Sequence, residues 1–169
     1  MRDSAPSRPT HLESKPLPAM KMSAADIKKY PQFAQYVSVA LPSVQHVKPI
    51  INAMQKLAGK TPRATIIEGL QWGKGPMIKI VPDLRKTANA NARTKWGSDL
   101  IELDVSRVTG FETQKGHVGQ TKAGLRVYLV GVTLLHELTH WADAKDGIDD
   151  APYEEGDQYE MDVYGKWVR

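Results

Sequence analysis

The sequence predicts an α+β fold, because helical patterns occupy both ends of the chain and short β-type segments lie between them. Apolar residues in the first helical region, residues 23–60, recur at helix-like spacing and are interrupted by Pro31 and Pro42, which predicts two or three helices. Segments rich in Ile and Val follow, separated by Gly, Pro and Asn, and they predict one small sheet. The predicted strands are residues 64–70, 77–81 and 100–105.

The last of these strands shows a two-residue periodicity. Apolar and acidic residues alternate along it, with Ile101, Leu103 and Val105 on one face and Glu102 and Asp104 on the other. This pattern predicts one buried and one wet face, and we interpret the segment as the edge strand of the sheet. Glycines then predict a flexible loop without phosphate-binding spacing, at Gly110, Gly116, Gly119 and Gly124.

A long helix is predicted over residues 125–146, which contain no proline and are followed by Gly147, a residue typical of helix ends. Residues four apart on a helix lie about 40° apart around its axis. His136 and His140 are therefore predicted to share one face, where two imidazoles can bind one metal ion. Leu134 and Leu138 point to the opposite side, so we expect that side to pack against the core.

The segment from His136 to His140 has the His-Glu-x-x-His spacing of zinc metallopeptidases. The chain has no cysteine, so a metal must be held by His, Asp or Glu. Glu137 lies between the two histidines, and we expect it to act as general base on a zinc-activated water rather than to bind the metal. The pattern thus predicts a Zn2+ cofactor and hydrolysis.

A catalytic zinc usually has three protein ligands, so a third is expected downstream of His140. The candidates are Asp146, the pair Asp149 and Asp150, and the carboxylates Glu154, Glu155 and Glu160. Asp146 fits less well, because Asp143 stands where the metzincin pattern has a glycine that turns the chain. We favour Glu155, on a second helix that faces the histidine pair, with Glu154 and Glu160 as alternates.

Length and composition restrict the other possibilities. The 169 residues predict a single domain over residues 23–169, preceded by a flexible linker or N-terminal extension, residues 1–22, which lacks the apolar core of a signal peptide. No apolar run approaches the ~20 residues needed to span a bilayer. The net charge of +4 comes from scattered Lys and Arg, so nucleic acid is not an expected partner.

The last third of the chain resembles a known family. The helix around His136-Glu137-Leu138-Thr139-His140-Trp141, the Asp146-Gly147 pair and residues 154–165 resemble metallopeptidase toxin domains of bacterial polymorphic or secretion-system effectors. The resemblance implies a zincin-like fold, with a helical N-terminal part, a small sheet, an active-site helix and a second ligand-bearing helix. It also implies a zinc held by His136, His140 and a downstream acidic residue, which we take to be Glu155.

These observations together predict a zinc metallopeptidase of the EC 3.4.24 type that acts as a toxin on a protein or peptide substrate. The resemblance further implies secretion or delivery into a target cell as part of a larger effector, and a cognate immunity protein. A zinc-stabilised binding module without catalysis and a secreted housekeeping peptidase are the alternatives. Glu137 favours catalysis, because a structural zinc site has no use for a general base.

Overall fold

The N-terminal part of the chain is helical in a computed structural model that describes residues 21–113, 117–148 and 154–169. Helix α1 is Ala24–Lys29, α2 is Pro31–Gln35, α3 is Leu41–Ser43 and α4 is Lys48–Leu57, with a π-helical turn at Tyr36–Ala40 and a 3-10 turn at Val44–His46. Pro31 and Pro42 lie in the first turns of α2 and α3, where a missing backbone N–H breaks no helical hydrogen bond. The predicted helical region is confirmed, but it contains four α-helices where two or three were predicted, and its prolines begin helices.

The first predicted strand, residues 64–70, is wrong. These residues form helix α5, Arg63–Leu70, in which Ile66 and Leu70 lie one turn apart and are both buried. Trp141 packs so closely on this helix that a Cβ at Gly69 would lie 2.6 Å from its indole ring. Burial of one apolar helical face against the rest of the protein has therefore overridden the β-propensity of the Ile-rich segment.

The main sheet has the order β1-β3-β2, with β1 at Met77–Val81, β2 at Ala92–Thr94 and β3 at Leu100–Asp104. β3 pairs in parallel with β1 and antiparallel with β2. The predicted strands at 77–81 and 100–105 are confirmed, but the prediction that the latter is the edge strand is wrong. It is the central strand, and β2, which the sequence did not reveal, lies at the edge. A short helix α6, Leu84–Ala88, connects β1 to β2.

The predicted glycine-rich loop is also largely regular structure. Helix α7 is Val105–Thr113, and strands β4, Val118–Gln120, and β5, Arg126–Tyr128, form an antiparallel pair. Gly110 lies in α7 and Gly119 in β4, and a Cβ at either would come within 2.6 Å of a neighbouring side chain. These glycines therefore allow close packing instead of flexibility, while Gly116 lies outside the described residues.

Two C-terminal helices complete the described fold: α8, Leu129–Asp143, and α9, Glu155–Tyr164. The start of α8 is four residues later than predicted, because the preceding residues pair as β5. Leu134 and Leu138 are buried as predicted. No described helix is both long and apolar enough to cross a membrane. The observed combination of helices with a small sheet agrees with the predicted α+β class.

The predicted extension, residues 1–22, lies outside the described residues except for its last two. Lys21 and Met22 are both buried, and Met22 forms a parallel bridge to β1. Lys21 Nζ donates to backbone carbonyls at the C-terminal end of α5. These two residues pack into the fold, although they belong to the predicted extension.

Candidate metal centre

The two histidines of α8 share one face, as their spacing predicts. The ring centroids of His136 and His140 lie 5.1 Å apart, and both side chains are largely buried. One carboxylate oxygen, Glu154 Oε1, lies 2.6 Å from His140 Nε2 and 3.4 Å from His136 Nε2. The three residues thus bring two nitrogens and one oxygen together at a single point, and their ligand atoms lie within 4.8 Å of one another.

The other nitrogen of each imidazole also faces a carboxylate. His136 Nδ1 lies 3.0 Å from Glu160 Oε1, and His140 Nδ1 lies 3.1 Å from Glu155 Oε2. In the tautomer with the proton on Nδ1, that nitrogen donates a hydrogen bond to its carboxylate. In the neutral imidazole this leaves the lone pair on Nε2, directed at the point where Glu154 lies.

Glu160 is held in place from several directions. Its side chain is only 2% exposed, and its Oε2 accepts a hydrogen bond of 2.7 Å from the backbone N–H of Val168. Arg169 Nη1 lies 3.3 Å from Oε1. Burial by itself lowers the pKa of His136, but the hydrogen bond to Glu160 and the charges of Glu137, Glu160 and Glu154 outweigh burial and raise that pKa above its usual value.

Glu137 is 6% exposed and is oriented by the edge strand β2. Thr94 Oγ1 lies 2.8 Å from Glu137 Oε2 and 3.1 Å from the backbone carbonyl oxygen of Glu137, so its hydroxyl can donate to either. Burial raises the pKa of Glu137, although His136, His140 and the hydrogen bond from Thr94 act in the opposite direction. A carboxylate of raised pKa beside the candidate metal site is suited to accepting a proton near neutral pH.

Helix α9 approaches the histidines through a glycine. A Cβ built at Gly156 would lie 2.2 Å from His136 Nε2, which is closer than any real contact. Further along α9, Tyr159 is fully buried and its hydroxyl lies 3.3 Å from that of Tyr164. The small residue at position 156 therefore lets the acidic start of α9 reach the histidine pair. The other face of α9 packs in the core.

One comparison with known proteins finds a match. The family model described as metallopeptidase toxin 3 matches residues 26–165. This chain belongs to that family. The match extends from within α1 to the residue after α9 and so includes every candidate ligand and Glu137. No curated protein and no solved structure matches the chain. The predicted resemblance to metallopeptidase toxin domains is confirmed, and the family name implies a metal cofactor and a protein substrate.

The remaining ligand candidates of this metallopeptidase toxin lie elsewhere or outside the described residues. Asp146 is partly exposed, and its carboxylate accepts from the backbone N–H groups of Lys60 at 2.9 Å and Ile148 at 2.8 Å. Asp149 and Asp150 fall among the residues that the structure does not describe. The backbone contacts of Asp146 stabilise the turn after α8.

The sequence did not indicate Thr94 as part of the toxin's site, nor which atom of each histidine the neighbouring carboxylates would contact. Thr94 lies 43 residues before Glu137 in a three-residue strand, and nothing in its neighbourhood signals contact with α8. Glu160 was an alternate ligand, but it lies on the Nδ1 side of His136, away from Glu154. Adjacent carboxylates look equivalent in sequence, and only the direction from which each approaches a ring separates their tasks.

Proposed function

We propose that this metallopeptidase toxin is a zinc-dependent peptidase with His136, His140 and Glu154 as metal ligands and Glu137 as general base. The supporting observation is the convergence of both Nε2 atoms on one oxygen of Glu154, 2.6 and 3.4 Å away. Two imidazole nitrogens and a carboxylate form a donor set that zinc prefers in catalytic sites, with a fourth position left for water or substrate. The EC 3.4.24 type and a zincin-like arrangement of α8 and α9 are part of this proposal.

The third ligand is Glu154 in this proposal, and Glu155 takes a different task from the one we expected. Glu155 Oε2 accepts from His140 Nδ1, so it orients the ring and makes Nε2 a better donor. Glu160 acts in the same way on His136. The side chain of Glu154, by contrast, is 58% exposed. Its described contacts with the two histidines are to their Nε2 atoms. An exposed carboxylate can adjust its position when it binds a metal.

The chain's own residues then carry the proton transfers. Bound zinc supplies Lewis acidity, which lowers the pKa of an attacking water and polarises the scissile carbonyl. Glu137 accepts the proton of that water and delivers it to the leaving amine. Thr94 holds the carboxylate of Glu137 in the required direction. The peptide lies extended along β2, which is the end strand of the sheet nearest to Glu137 and offers backbone hydrogen bonds of little sequence specificity.

The toxin role extends this proposal beyond the chain itself. Membership of a metallopeptidase toxin family supports secretion or delivery into a target cell, as part of a larger effector, together with a cognate immunity protein. Expression of the wild-type domain should slow growth of a sensitive cell, and Glu137→Gln should restore growth at equal protein level. Equal growth with both proteins would contradict the toxin role.

The catalytic site is tested by metal content and peptide cleavage on matched samples. Wild type should bind one zinc per chain, and His136→Ala, His140→Ala and Glu154→Gln should each lose it. Glu155→Gln should keep the metal with weaker affinity, about 10- to 100-fold by analogy with other residues that orient a ligand. Glu68→Gln, an exposed carboxylate elsewhere, is the control. Full zinc retention in Glu154→Gln together with loss in Glu155→Gln would reverse the assignment of the third ligand.

Glu137→Gln separates an enzyme from a zinc-stabilised binding module. It should keep the metal but lose about 10²- to 10⁴-fold in cleavage rate, because general base catalysis contributes about that much. Cleavage would be measured on denatured protein and peptide mixtures by mass spectrometry. An unchanged rate would remove Glu137 from the mechanism, and absence of cleavage by zinc-loaded wild type would favour the binding module.

A further inference from the structure

A second cavity lies beside the candidate metal centre. It has a volume of about 240 Å³ and shares Ala92, His136 and Glu137 with the cavity that contains His140 and Glu154. The two cavities therefore meet at His136 and Glu137, and a substrate that reaches one of them can extend into the other. The second cavity is also lined by Arg107, which comes from helix α7.

Arg107 is buried, and no carboxylate of the described residues forms an ion pair with it. The residue is 8% exposed, and its Nε is fully buried with no hydrogen-bond partner among the described residues. Glu160 and Asp104 act on its charge from a distance, but both are occupied. Glu160 binds His136, Val168 and Arg169. Asp104 accepts from the backbone N–H groups of Arg85 and Ser106, at 2.9 Å each.

A buried guanidinium that forms no direct ion pair with a described carboxylate is costly in this position. A buried charge without a partner destabilises a folded protein by several kcal/mol, and arginine cannot lose its proton to relieve this. Burial and the nearby charges of Arg85 and Arg169 lower the pKa of Arg107, which reflects the same unfavourable surroundings. Charged side chains that are buried in such unfavourable surroundings are typical of sites that bind an oppositely charged ligand.

We propose that Arg107 binds a carboxylate of the substrate, next to the bond that is cleaved. This inference rests on the proposed peptidase function and specifies its substrate class. The carboxylate is either the side chain of an Asp or Glu residue or the free C-terminus of the peptide. The planar guanidinium suits two parallel hydrogen bonds to such a group, and Asn89 and Asn91 line the same cavity and provide uncharged donors.

The test compares peptides that differ only in the carboxylate. Zinc-loaded protein is incubated with libraries of C-terminally amidated peptides and of their free-acid counterparts, and the products are identified by mass spectrometry. We expect Asp or Glu at one fixed position relative to the cut in the amidated library, or cuts at a fixed distance from the carboxyl end that amidation abolishes. The first result identifies an acidic side chain and the second a free C-terminus. Cleavage with neither preference would overturn the proposal.

Variants assign any preference to Arg107. In Arg107→Met the ratio of kcat/KM for acidic over matched neutral peptides should fall about tenfold to a hundredfold, the value of one or two hydrogen bonds to a charged group. Arg107→Lys keeps the charge and should retain part of the preference, which covers the case in which Arg107→Met folds poorly. Arg63→Met removes an exposed arginine that lines neither cavity and should change nothing. An unchanged ratio in folded Arg107→Met would overturn the inference.

A binding readout separates failure of the inference from failure of the peptidase proposal. N-acetylglutamate amide, N-acetylalanine and the neutral N-acetylglutamine amide are titrated into zinc-loaded Glu137→Gln protein, and NMR follows the resonances of the probe and, where Arg107 is present, its Nε–H resonance. Binding of a carboxylate probe with a shift of this resonance, weakened about tenfold in the Glu137→Gln/Arg107→Met protein, would support the inference even if no peptide is cleaved. Binding unaffected by the second substitution, or no binding of either acid, would reject it.

Discussion

At the scale of single residues, the carboxylates around the two histidines differ only in the side from which they approach. Glu154 lies at the Nε2 atoms, while Glu155 and Glu160 lie at the Nδ1 atoms of His140 and His136. In the proposed metal site, this division lets one carboxylate complete the ligand set while the two others set the protonated nitrogen of each ring. The identity of each residue as Glu carries no information about which task it performs.

The hydrogen bond of Thr94 predicts a kinetic effect. Thr94→Val removes the donor 2.8 Å from Glu137 Oε2 while keeping the shape of the side chain. We expect kcat to fall about tenfold with little change in KM, because a hydrogen bond to a charged group is worth about 1.5–3 kcal/mol and only part of that acts in the transition state. Thr94→Ser should recover most of the rate, and zinc content should stay constant. An unchanged kcat in Thr94→Val would show that Glu137 is oriented without it.

The burial of Lys21 predicts that the free energy of unfolding depends on pH. The side chain is 2% exposed, and burial lowers the pKa of Lys21 from 10.5 to about 7. The unfolded chain therefore holds a proton that the folded chain has released, so the free energy of unfolding rises between pH 7 and 10, by at most about 1.4 kcal/mol per pH unit. Lys21→Met should lose this increase, as measured by urea unfolding at pH 7, 8 and 9.

The matched control for this prediction is an exposed lysine. Lys74→Met changes the same kind of side chain at a position that is 61% exposed. Its free energy of unfolding should follow that of wild type with pH. If Lys21→Met and wild type also changed in parallel, the buried amine would not be the source of the pH dependence.

At the scale of elements, the site depends on how closely α9 packs against α8. α8 presents the histidines and buries its opposite side, while β2 approaches from the sheet and contributes Thr94. α9 begins at Glu155, directly after Glu154, and its second residue is Gly156. The carboxylates reach both rings because no side chain stands between the two helices at this position.

A methyl group at Gly156 should therefore disturb the metal site without weakening the helix. In Gly156→Ala the new Cβ would lie 2.2 Å from His136 Nε2, so the imidazole must turn away from the proposed metal site. We expect zinc to bind at least tenfold more weakly, while helicity by circular dichroism is unchanged or higher, since Ala is about 1 kcal/mol better than Gly in a helix. Zinc affinity would be measured by competition with a chelator.

Gly131→Ala provides the control for a clash on α8 away from the metal. A Cβ at Gly131 would meet the hydroxyl of Tyr36 at 2.1 Å. This variant should lose thermal stability but keep its zinc affinity. Equal loss of zinc affinity in both variants would mean that the metal site responds to any disturbance of α8, and not to the position of His136.

At the scale of the whole molecule, the proposed metal site joins two helices that are separated in sequence. His136 and His140 come from α8, and Glu154 precedes α9. A metal held by all three residues stabilises only the folded arrangement, because the unfolded chain does not hold these ligands together. Both helices also contact the core, α8 through Leu134 and α9 through Tyr159. Metal binding is thus expected to stabilise the fold as a unit.

Zinc should raise the melting temperature of the protein. At free zinc about a hundredfold above Kd, a ligand that binds only the folded state adds about 2.7 kcal/mol, which corresponds to about 5–10 °C for a domain of this size. The measurement is thermal unfolding of Glu137→Gln protein with and without zinc, which avoids self-cleavage. The His136→Ala/His140→Ala protein should show no shift. A shift of equal size in that protein would place the stabilising zinc elsewhere.

Local patterns made much of the site predictable. The four-residue spacing of His136 and His140 places them on one face of any helix, and the apolar residues around them make that helix part of the core. The acidic start of the next helix was also predictable from the sequence, because acidic side chains near a helix N-terminus interact favourably with the helix dipole. The choice between Glu154 and Glu155 was not visible, since adjacent residues differ in direction only once α9 has docked.

The sequence alone determined the family and the helix on which His136 and His140 share one face, and it predicted Glu137 as the general base, because each of these depends on residues within one or two turns of each other. Tertiary structure decided which strand lies at the edge, that residues 64–70 form a helix, and that Thr94 meets Glu137 across 43 residues. It also decided that Arg107 is buried beside the site with no hydrogen-bond partner for its Nε among the described residues. These features arise when distant segments pack to remove apolar surface from water, and packing of this kind leaves no local periodicity in the chain.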